Sequence, residues 1–345
     1  MNFSSVTIRI NVVYPNRGHR QVSPPVAHIL IEELAMTRLS IVVACFNRVD
    51  LLEETLIAVL QNRPRQSEVV VVHDGRYTDP YDLKEEVRFV SVAADSSWVG
   101  SLNAGIDQSE GEIVHVLGAG VLPEANWADA ALEPFSDHAV GSVCPVLLGA
   151  GESTKIRCLG VGLGPLLGRK VLAVGREWNE NRPPRVTPLG PNLVAAFYRR
   201  EALLAAGGLT EDYGDELADI DLAYRLEDVG YDLEVAYESH LRVDVVDRPR
   251  RHFAAQGRQH QQLIASLPDV ASWKKTVAKW GQVALDCVTS PVDPRRLLSA
   301  WGRITTPHNV EPHSAEPEPT AAVYSLADHR DELSAPDNAS HRRAA

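Results

Sequence analysis

Short apolar runs alternate with amphipathic segments along the first half of the chain. Between the runs, residues 50–61 and 98–108 place apolar side chains at helical spacing and predict two helices. Because the first two runs are almost continuously apolar, they predict parallel strands buried on both faces of a sheet. The four runs, rich in β-branched residues, are residues 39–44, 68–72, 87–92 and 112–117.

The second half of the chain has a different pattern. A glycine-rich, hairpin-like segment at 158–175 precedes a proline-rich loop at 181–191. Two helical patterns follow at 199–206 and 219–229, and each ends at glycine, an expected helix stop. These features predict one mixed α/β domain over residues 36–265.

Three segments flank this domain. Residues 1–35 contain polar and proline-rich patches and predict a flexible N-terminal extension. Apolar residues at helical spacing after Pro268 predict an amphipathic helical appendage at 266–302. This appendage could pack on the domain, or it could contact a membrane surface or a partner protein. Residues 303–345, rich in Pro, Glu, His, Ser and Ala, predict a disordered tail.

Charge and composition narrow the function classes. A net charge of −12 offers no basic field for a phosphate backbone, so nucleic acid is not an expected partner. No segment has the roughly 20 uninterrupted apolar residues that span a bilayer, and residues 1–35 lack a signal-peptide pattern. The four cysteines lack metal-site spacing and predict reduced core thiols. We expect a cytoplasmic protein, with the inner face of the membrane as a further location.

The ends of the predicted strands are where chemistry is expected, because open α/β sheets bind ligands beyond the carboxyl ends of their strands. The strand ends in question are Cys45-Phe46-Asn47-Arg48, His73-Asp74-Gly75 and Gly118-Ala119-Gly120.

Several motifs in order along residues 39–237 resemble those of family 2 glycosyltransferases. The first two are Ser-Ile-Val-Val-Ala-Cys-Phe-Asn-Arg at 40–48 and Val-Val-His-Asp-Gly at 71–75. Gly-Ser-Leu-Asn-Ala-Gly follows at 100–105, and the last string runs from Arg-Arg-Glu-Ala-Leu through Gly-Gly-Leu-Thr-Glu and Asp-Ile-Asp-Leu-Ala-Tyr-Arg to Gly-Tyr at 199–231. The resemblance implies a GT-A fold, with a single mixed, mostly parallel sheet flanked by helices. It also implies inverting transfer of a sugar from a nucleotide-sugar donor to an unknown glycan, lipid-linked or protein acceptor.

The resemblance also assigns roles to residues. Asp219 lies where a loop enters a helix, so its carboxylate can cap that helix or, as the resemblance implies, take a proton from an acceptor hydroxyl. Asp221 is better placed to cap the helix or to pair with Arg225. The implied nucleotide-sugar contacts are Ala44, Phe46, Asn47, Asp74, Gly75 and Asn103.

The chain departs from the family at its metal motif. Where the family has Asp-x-Asp to hold Mg²⁺ or Mn²⁺, this chain has Gly118-Ala119-Gly120, and glycine offers no side-chain ligand. We therefore predict no metal residues, with Arg248, Arg250 and Arg251 as candidate cations for the diphosphate. Three interpretations stay open: a metal-independent glycosyltransferase, a non-catalytic protein that binds a nucleotide sugar, a glycan or a partner enzyme, and a scaffold that keeps only the fold.

Overall fold

The structure is a computed structural model that describes residues 38–46, 48–246, 253–267, 270–289 and 294–306. The predicted N-terminal extension lies outside these residues, as does the predicted tail beyond Thr306. Within them the chain forms an α/β domain followed by three helices.

One mixed sheet of nine strands forms the centre of the described domain, in the order β3-β2-β1-β4-β10-β6-β11-β5, with β7 paired to β6. Strands β5, β7 and β10 run antiparallel to their neighbours and the other pairings are parallel. The strands are β1 (Leu39–Cys45), β2 (Ser67–His73), β3 (Val87–Ser91), β4 (Ile113–Gly118), β5 (Val121–Pro123), β6 (Val140–Gly149), β7 (Ile156–Cys158), β10 (Ala195–Arg199) and β11 (Asp232–Val243).

A separate antiparallel hairpin, β8 (Val161–Leu163) with β9 (Arg169–Val171), forms within the glycine-rich segment where the sequence predicts one. The helices at 49–62 and 98–107 also agree with the two helices predicted in the first half of the chain. The described helices are α1 (Val49–Asn62), α2 (Trp98–Asp107), α3 (Trp127–Leu132), α4 (Arg200–Ala205), α5 (Ala218–Asp228), α6 (Phe253–Ser266), α7 (Ser272–Thr289) and α8 (Pro294–Thr305).

The two faces of the sheet explain why its first strands are apolar throughout. Ile41 and Val43 pack on one side with Leu52 and Leu56 of α1. Val42 and Ala44 point to the other side and pack with Trp98 and Leu102 of α2. Because helices cover both faces, neither face of β1 meets water, and every position in the strand is buried.

Strands β6, β10 and β11 extend the sheet beyond the strands that the sequence predicts. β10 lies antiparallel between β4 and β6, and β11 runs parallel to β6. The chain therefore returns to the sheet after the β8–β9 hairpin, which brings α5 and its preceding loop close to the first strands.

The C-terminal helices contact the domain through α6 and α7. Leu263 of α6 joins a buried cluster with Val161, Leu217 and Ile220, and a ring nitrogen of His260 lies 3.2 Å from the carbonyl oxygen of Leu167. Helix α8 continues to Thr305, two residues past the predicted start of the tail. None of the described helices combines the length and the hydropathy that a bilayer span requires.

Candidate functional site

The carboxyl ends of β1, β2 and β4 bring the predicted nucleotide-side residues together. Strand β1 lies between the other two in parallel register, with Cys45 opposite His73 and Ala44 opposite Gly118. Neighbouring strands lie roughly 4.8 Å apart, so Ala44, Phe46, Asp74 and Gly75 share one edge of the sheet. Asn47, the remaining predicted residue of the first turn, lies outside the described residues.

Asp74 is held in a tight turn at the end of β2. Its side chain is only 6% exposed, and its Oδ2 atom lies 2.6 Å from Nη2 of Arg76. The backbone N–H of Arg76 donates to the other oxygen at 3.2 Å, and Gly75 allows the turn with a φ of +82°. Because the Arg76 side chain is 63% exposed, a ligand could displace it from the carboxylate at little energetic cost.

His73 is the last residue of β2 and directly precedes Asp74. Its Nδ1 atom accepts a hydrogen bond from the N–H of Gly75 at 3.1 Å, and its ring meets the rings of Tyr77 and Phe89 edge-on. Burial lowers the pKa of His73, although the neighbouring Asp74 charge acts in the opposite direction. The imidazole is therefore neutral at pH 7 and stabilises the turn rather than supplying a negative charge.

An apolar layer covers the end of β4. The rings of Phe46 and Trp98 lie 5.6 Å apart. A Cβ atom added to Gly118 would lie 2.7 Å from Cγ1 of Val246 and 3.0 Å from Cη2 of Trp98. A Cβ atom at Gly120, whose φ is +99°, would lie 2.1 Å from the carbonyl oxygen of Val245. Backbone and side chains of this layer thus fill the space where the aspartates of an Asp-x-Asp motif would begin.

The described residues do not fit the metal site that the family implies. In this part of the chain no three His, Cys, Asp or Glu side chains are grouped so as to hold an ion. Glu124, an acid outlying the glycine motif, is engaged by Arg242, whose Nε lies 2.5 Å from its Oε1 atom. Arg248, Arg250 and Arg251, the candidate diphosphate cations, lie outside the described residues.

Asp219 lies in the first turn of α5 and is almost completely buried, at 3% exposure. Arg169 of β9 binds it through two nitrogens, with Nε 2.9 Å from Oδ1 and Nη2 2.6 Å from Oδ2. Burial alone would lower the pKa of Arg169, but the carboxylate of Asp219 outweighs that effect and the pKa is raised. The two groups therefore form a buried, fully charged pair.

Sequence reasoning did not identify Arg169 as a site residue. It is 50 residues from its partner, and in the sequence it only interrupts an apolar stretch of the glycine-rich hairpin. The one sign that Asp219 needs a cationic partner is its burial on α5, and that burial is visible only in the three-dimensional structure.

Three groups near this pair are neutral at pH 7. Burial raises the pKa of the Cys158 thiol to about 11, and it also raises the pKa values of the Cys144 thiol and the Tyr198 hydroxyl. Neither cysteine is therefore a thiolate nucleophile at pH 7.

Two hydrogen bonds tie Asp219's surroundings to the strand ends. In the loop before α5, Oδ1 of Asp215 accepts from the N–H of Val99 at 3.1 Å, beside Trp98 at the start of α2. The N–H of Gly118 donates to the carbonyl oxygen of Val194, just before β10, at 2.8 Å. The loop before α5 is thus bonded to the start of α2, and the residue before β10 is bonded to the end of β4.

Asp221 pairs with Arg225, which is one of the two roles considered for it from the sequence. Nη2 of Arg225 lies 2.7 Å from Oδ2 of Asp221, and Nη1 of Arg225 donates to the carbonyl oxygen of Gly208 at 2.8 Å. Burial raises the pKa of Asp221 even though Arg225 acts against it. No side-chain capping bond is seen at the start of α5, so the pair fastens this helix to the turn after α4.

Asn103 makes a structural contact in the described fold. Its Nδ2 atom donates to the carbonyl oxygen of Leu209 at 2.9 Å. It lies five residues after Trp98 in α2, roughly 7.5 Å further along the helix axis from the strand ends. Its assignment to the nucleotide side stays a prediction.

Comparisons with known proteins agree with this architecture. Residues 40–159 match the sequence model of Glycosyl transferase family 2, and no curated protein sequence matches the chain. The crystal structure of GalNAc-T7 with UDP, GalNAc and Mn²⁺ aligns with 76% of this chain at 15% identity and a TM-score of 0.52, and this chain spans 59% of its length. This likeness confirms the predicted fold class.

Two further solved structures align with this chain. S. aureus TarS 1-349 matches at 14% identity and a TM-score of 0.49, over 74% of this chain and 73% of its own. The mannosyltransferase PcManGT from Pyrobaculum calidifontis, in complex with GDP-Man and Mn²⁺, matches at 18% identity and a TM-score of 0.45, over 78% of this chain and 85% of its own.

Proposed function

We propose that this chain, whose residues 40–159 match the Glycosyl transferase family 2 model and whose fold is of the GT-A class, transfers a sugar from a nucleotide-sugar donor to an acceptor hydroxyl with inversion. The observation that carries the proposal is the buried carboxylate of Asp219, on a helix whose preceding loop is bonded to the start of α2 at the strand ends. The acceptor class, glycan, lipid-linked or protein, is left open.

We place the nucleotide at the ends of β1 and β2. Phe46 offers a largely buried aromatic ring there, and Asp74 offers a carboxylate to a base imide. The GT-A neighbour that was crystallised with UDP supports a nucleotide as the ligand class by analogy of fold. A thermal-stabilisation screen with a panel of nucleotide sugars tests the placement, because stabilisation rises with ligand concentration over Kd.

Replacing Asp74 with Ala should weaken binding of the stabilising nucleotide by about tenfold or more, since a hydrogen bond to a charged group contributes about 1.5–3 kcal/mol. The matched control is Asp95→Ala, which removes an exposed acid from the loop between β3 and α2. Isothermal titration of both variants measures the effect. Equal affinity of Asp74→Ala and wild-type protein would move the nucleotide site elsewhere.

The proposed chemistry centres on Asp219. As the acceptor oxygen forms its bond to the anomeric carbon, the bond from that carbon to the diphosphate oxygen breaks, and the nucleoside diphosphate leaves with the electron pair. The hydroxyl proton passes to the Asp219 carboxylate, which is acting as general base. Inversion follows when attack comes from the face opposite the leaving diphosphate.

Arg169 has a proposed part in the same step. It is the charged partner of Asp219, and its side chain is 17% exposed. We propose that the donor's diphosphate attracts this guanidinium, which is well suited to bidentate phosphate contacts. Arg169 would then offset the charge on the leaving group, and its departure would free Asp219 for the acceptor hydroxyl.

Donor binding should be nearly independent of divalent metal, because the apolar layer fills the place of the missing carboxylates. Calorimetric titration with nucleotide sugars in EDTA, and then in Mn²⁺, should give nearly the same Kd. A titration of Mn²⁺ into the nucleotide sugar without protein corrects for direct chelation. A large gain in affinity with Mn²⁺ would reveal a protein metal site and contradict the prediction.

A second candidate is a non-catalytic protein that binds a nucleotide sugar, a glycan or a partner enzyme. The observation that favours it is the covered end of β4 together with a candidate base whose two oxygens are both held by Arg169. Release of nucleoside diphosphate from the stabilising donor separates the two functions. An enzyme releases it in a way that depends on Asp219, whereas a binding protein releases none.

Cytoplasmic location and a contact through residues 266–302 complete the proposal. Among the described cysteines, Cys144 and Cys158 are free and buried, which fits a reducing compartment. The contact is with a membrane surface or with a partner protein, and the exposed side chains of α7 and α8 bear on this choice.

A further inference from the structure

Helix α7 leaves its largest apolar side chains exposed. The buried positions among its described residues are Ala278, Lys279 and Val283, at 3%, 4% and 9% exposure. The large apolar residues Trp273, Val277 and Trp280 are instead 65%, 54% and 54% exposed. At spacings of four and three residues they lie on one helix face. A face of this kind is normally covered by something, because exposed apolar patches mark interaction sites.

Helix α8 likewise buries small residues and exposes large apolar ones. Its buried side uses Ala300, and a Cβ atom added to Gly257 of α6 would lie 1.9 Å from the carbonyl oxygen of Ser299. Small residues thus allow α6 and α8 to pack closely. The large apolar residues of α8 are left facing outward, namely Leu297, Leu298, Trp301 and Ile304, at 42%, 49%, 63% and 45% exposure.

The charge of these two helices indicates what covers them. Together they contain six Lys and Arg residues and a single Asp, in a chain whose net charge is −12. The ammonium of Lys274 lies 5.8 Å from the centroid of the Trp273 ring, over its face. Tryptophan with flanking Lys and Arg is the composition of helices that lie in the headgroup region of a bilayer.

We infer that the outer faces of α7 and α8, which we call the tryptophan face, bind the surface of an anionic lipid bilayer. The apolar side chains enter the headgroup boundary, and the exposed basic residues Lys274, Arg295 and Arg296 lie against the anionic headgroups. A second copy of the chain fits less well, because a symmetric contact would bring two positively charged faces together. The inference does not depend on the proposed glycosyl transfer.

Flotation of the full chain with vesicles tests this inference. Vesicles of phosphatidylcholine alone are compared with vesicles that also contain phosphatidylserine. Each basic residue near an anionic surface contributes about 1 kcal/mol, so we expect binding to the anionic vesicles to be at least about tenfold stronger. The binding should weaken as salt is raised, because salt screens these charges.

The variant Trp273→Gln/Trp280→Gln/Trp301→Gln should lose at least about tenfold in vesicle affinity, since each exposed ring contributes apolar area at the interface. The matched control is Tyr81→Gln, which replaces an aromatic residue 62% exposed in the loop after β2. It should bind as wild type does. The thermal midpoints of all three proteins should agree, because the replaced rings are largely exposed.

Three results would overturn the inference. One is equal binding to neutral and anionic vesicles, and another is undiminished binding by the triple variant. The third is the absence of vesicle binding together with a protein contact, either an acidic partner or a second copy, that the triple variant abolishes. Analytical ultracentrifugation over a range of protein concentrations detects the second copy.

Discussion

Asp219→Asn should lower the rate of sugar transfer by about 10²- to 10⁴-fold, the contribution typical of a positioned general base. Asparagine has nearly the same shape as aspartate but cannot take up the acceptor's proton. Donor affinity should change much less than the rate, because the proposed nucleotide contacts lie on β1 and β2. Steady-state release of nucleoside diphosphate, with the donor found by stabilisation screening, measures the rate.

The matched control is Asp228→Asn, which neutralises an exposed carboxylate at the other end of α5. It should retain the wild-type rate. Because Asp219→Asn also leaves Arg169 without its buried partner, assays are run below the unfolding midpoint of each variant. A near-normal rate for Asp219→Asn would exclude the general-base role and would favour another residue or a different reaction.

Arg169→Gln should lower the free energy of unfolding by about 3–5 kcal/mol, because it leaves the carboxylate of Asp219 buried without its charged partner. The double variant Arg169→Gln/Asp219→Asn removes both charges and should be less destabilised than the sum of the two single variants. Urea denaturation of the three variants and the wild type completes a double-mutant cycle. Strict additivity would mean that the two side chains do not interact in solution.

The same variants separate the structural role of Arg169 from its proposed role in binding the diphosphate. Arg169→Gln should weaken binding of the stabilising nucleoside diphosphate while leaving its monophosphate nearly unaffected. Asp219→Asn keeps the guanidinium and should bind the diphosphate at least as well as wild type. Equal losses for diphosphate and monophosphate in Arg169→Gln would limit this residue to holding α5.

These expectations separate the enzyme from the non-catalytic binding protein. In an enzyme the Arg169 contact is a resting state that the donor breaks, and both variants reduce turnover for different reasons. In a binding protein the pair is a permanent structural feature, and its removal changes only the stability. Such a protein releases no product, with or without the pair. The stability cycle and the turnover assay are therefore informative together.

The parallel half of the sheet was predictable from local pattern. Apart from Ser40 and Glu68, the segments at 39–44 and 68–72 are apolar on both faces, a pattern typical of a parallel strand covered on both sides. The order of the motifs then placed Asp74 and Gly118 at strand ends on either side of β1, as the register of β1 with β2 and β4 shows.

The other half of the sheet was not predictable in the same way. Strand β10 is only five residues long and runs directly into α4, and no strand is predicted there from the sequence. Strand β6 contains Gly141 and Pro145, which weaken a strand prediction. These strands form because β4 and β11 offer them backbone partners, and such partners are far away in the sequence.

The sequence by itself determined the fold class, the location of the strand-end residues and the absence of carboxylates at Gly118 and Gly120, since each of these is a local property. Only the tertiary structure revealed that Val245 and Val246 cover those glycines and that Arg169 holds Asp219. It also showed that α7 and α8 turn their tryptophans outward. The physical reason is that burial and ion pairing depend on which distant segments meet. The sequence of a helix with two possible buried faces does not indicate which of them the domain covers.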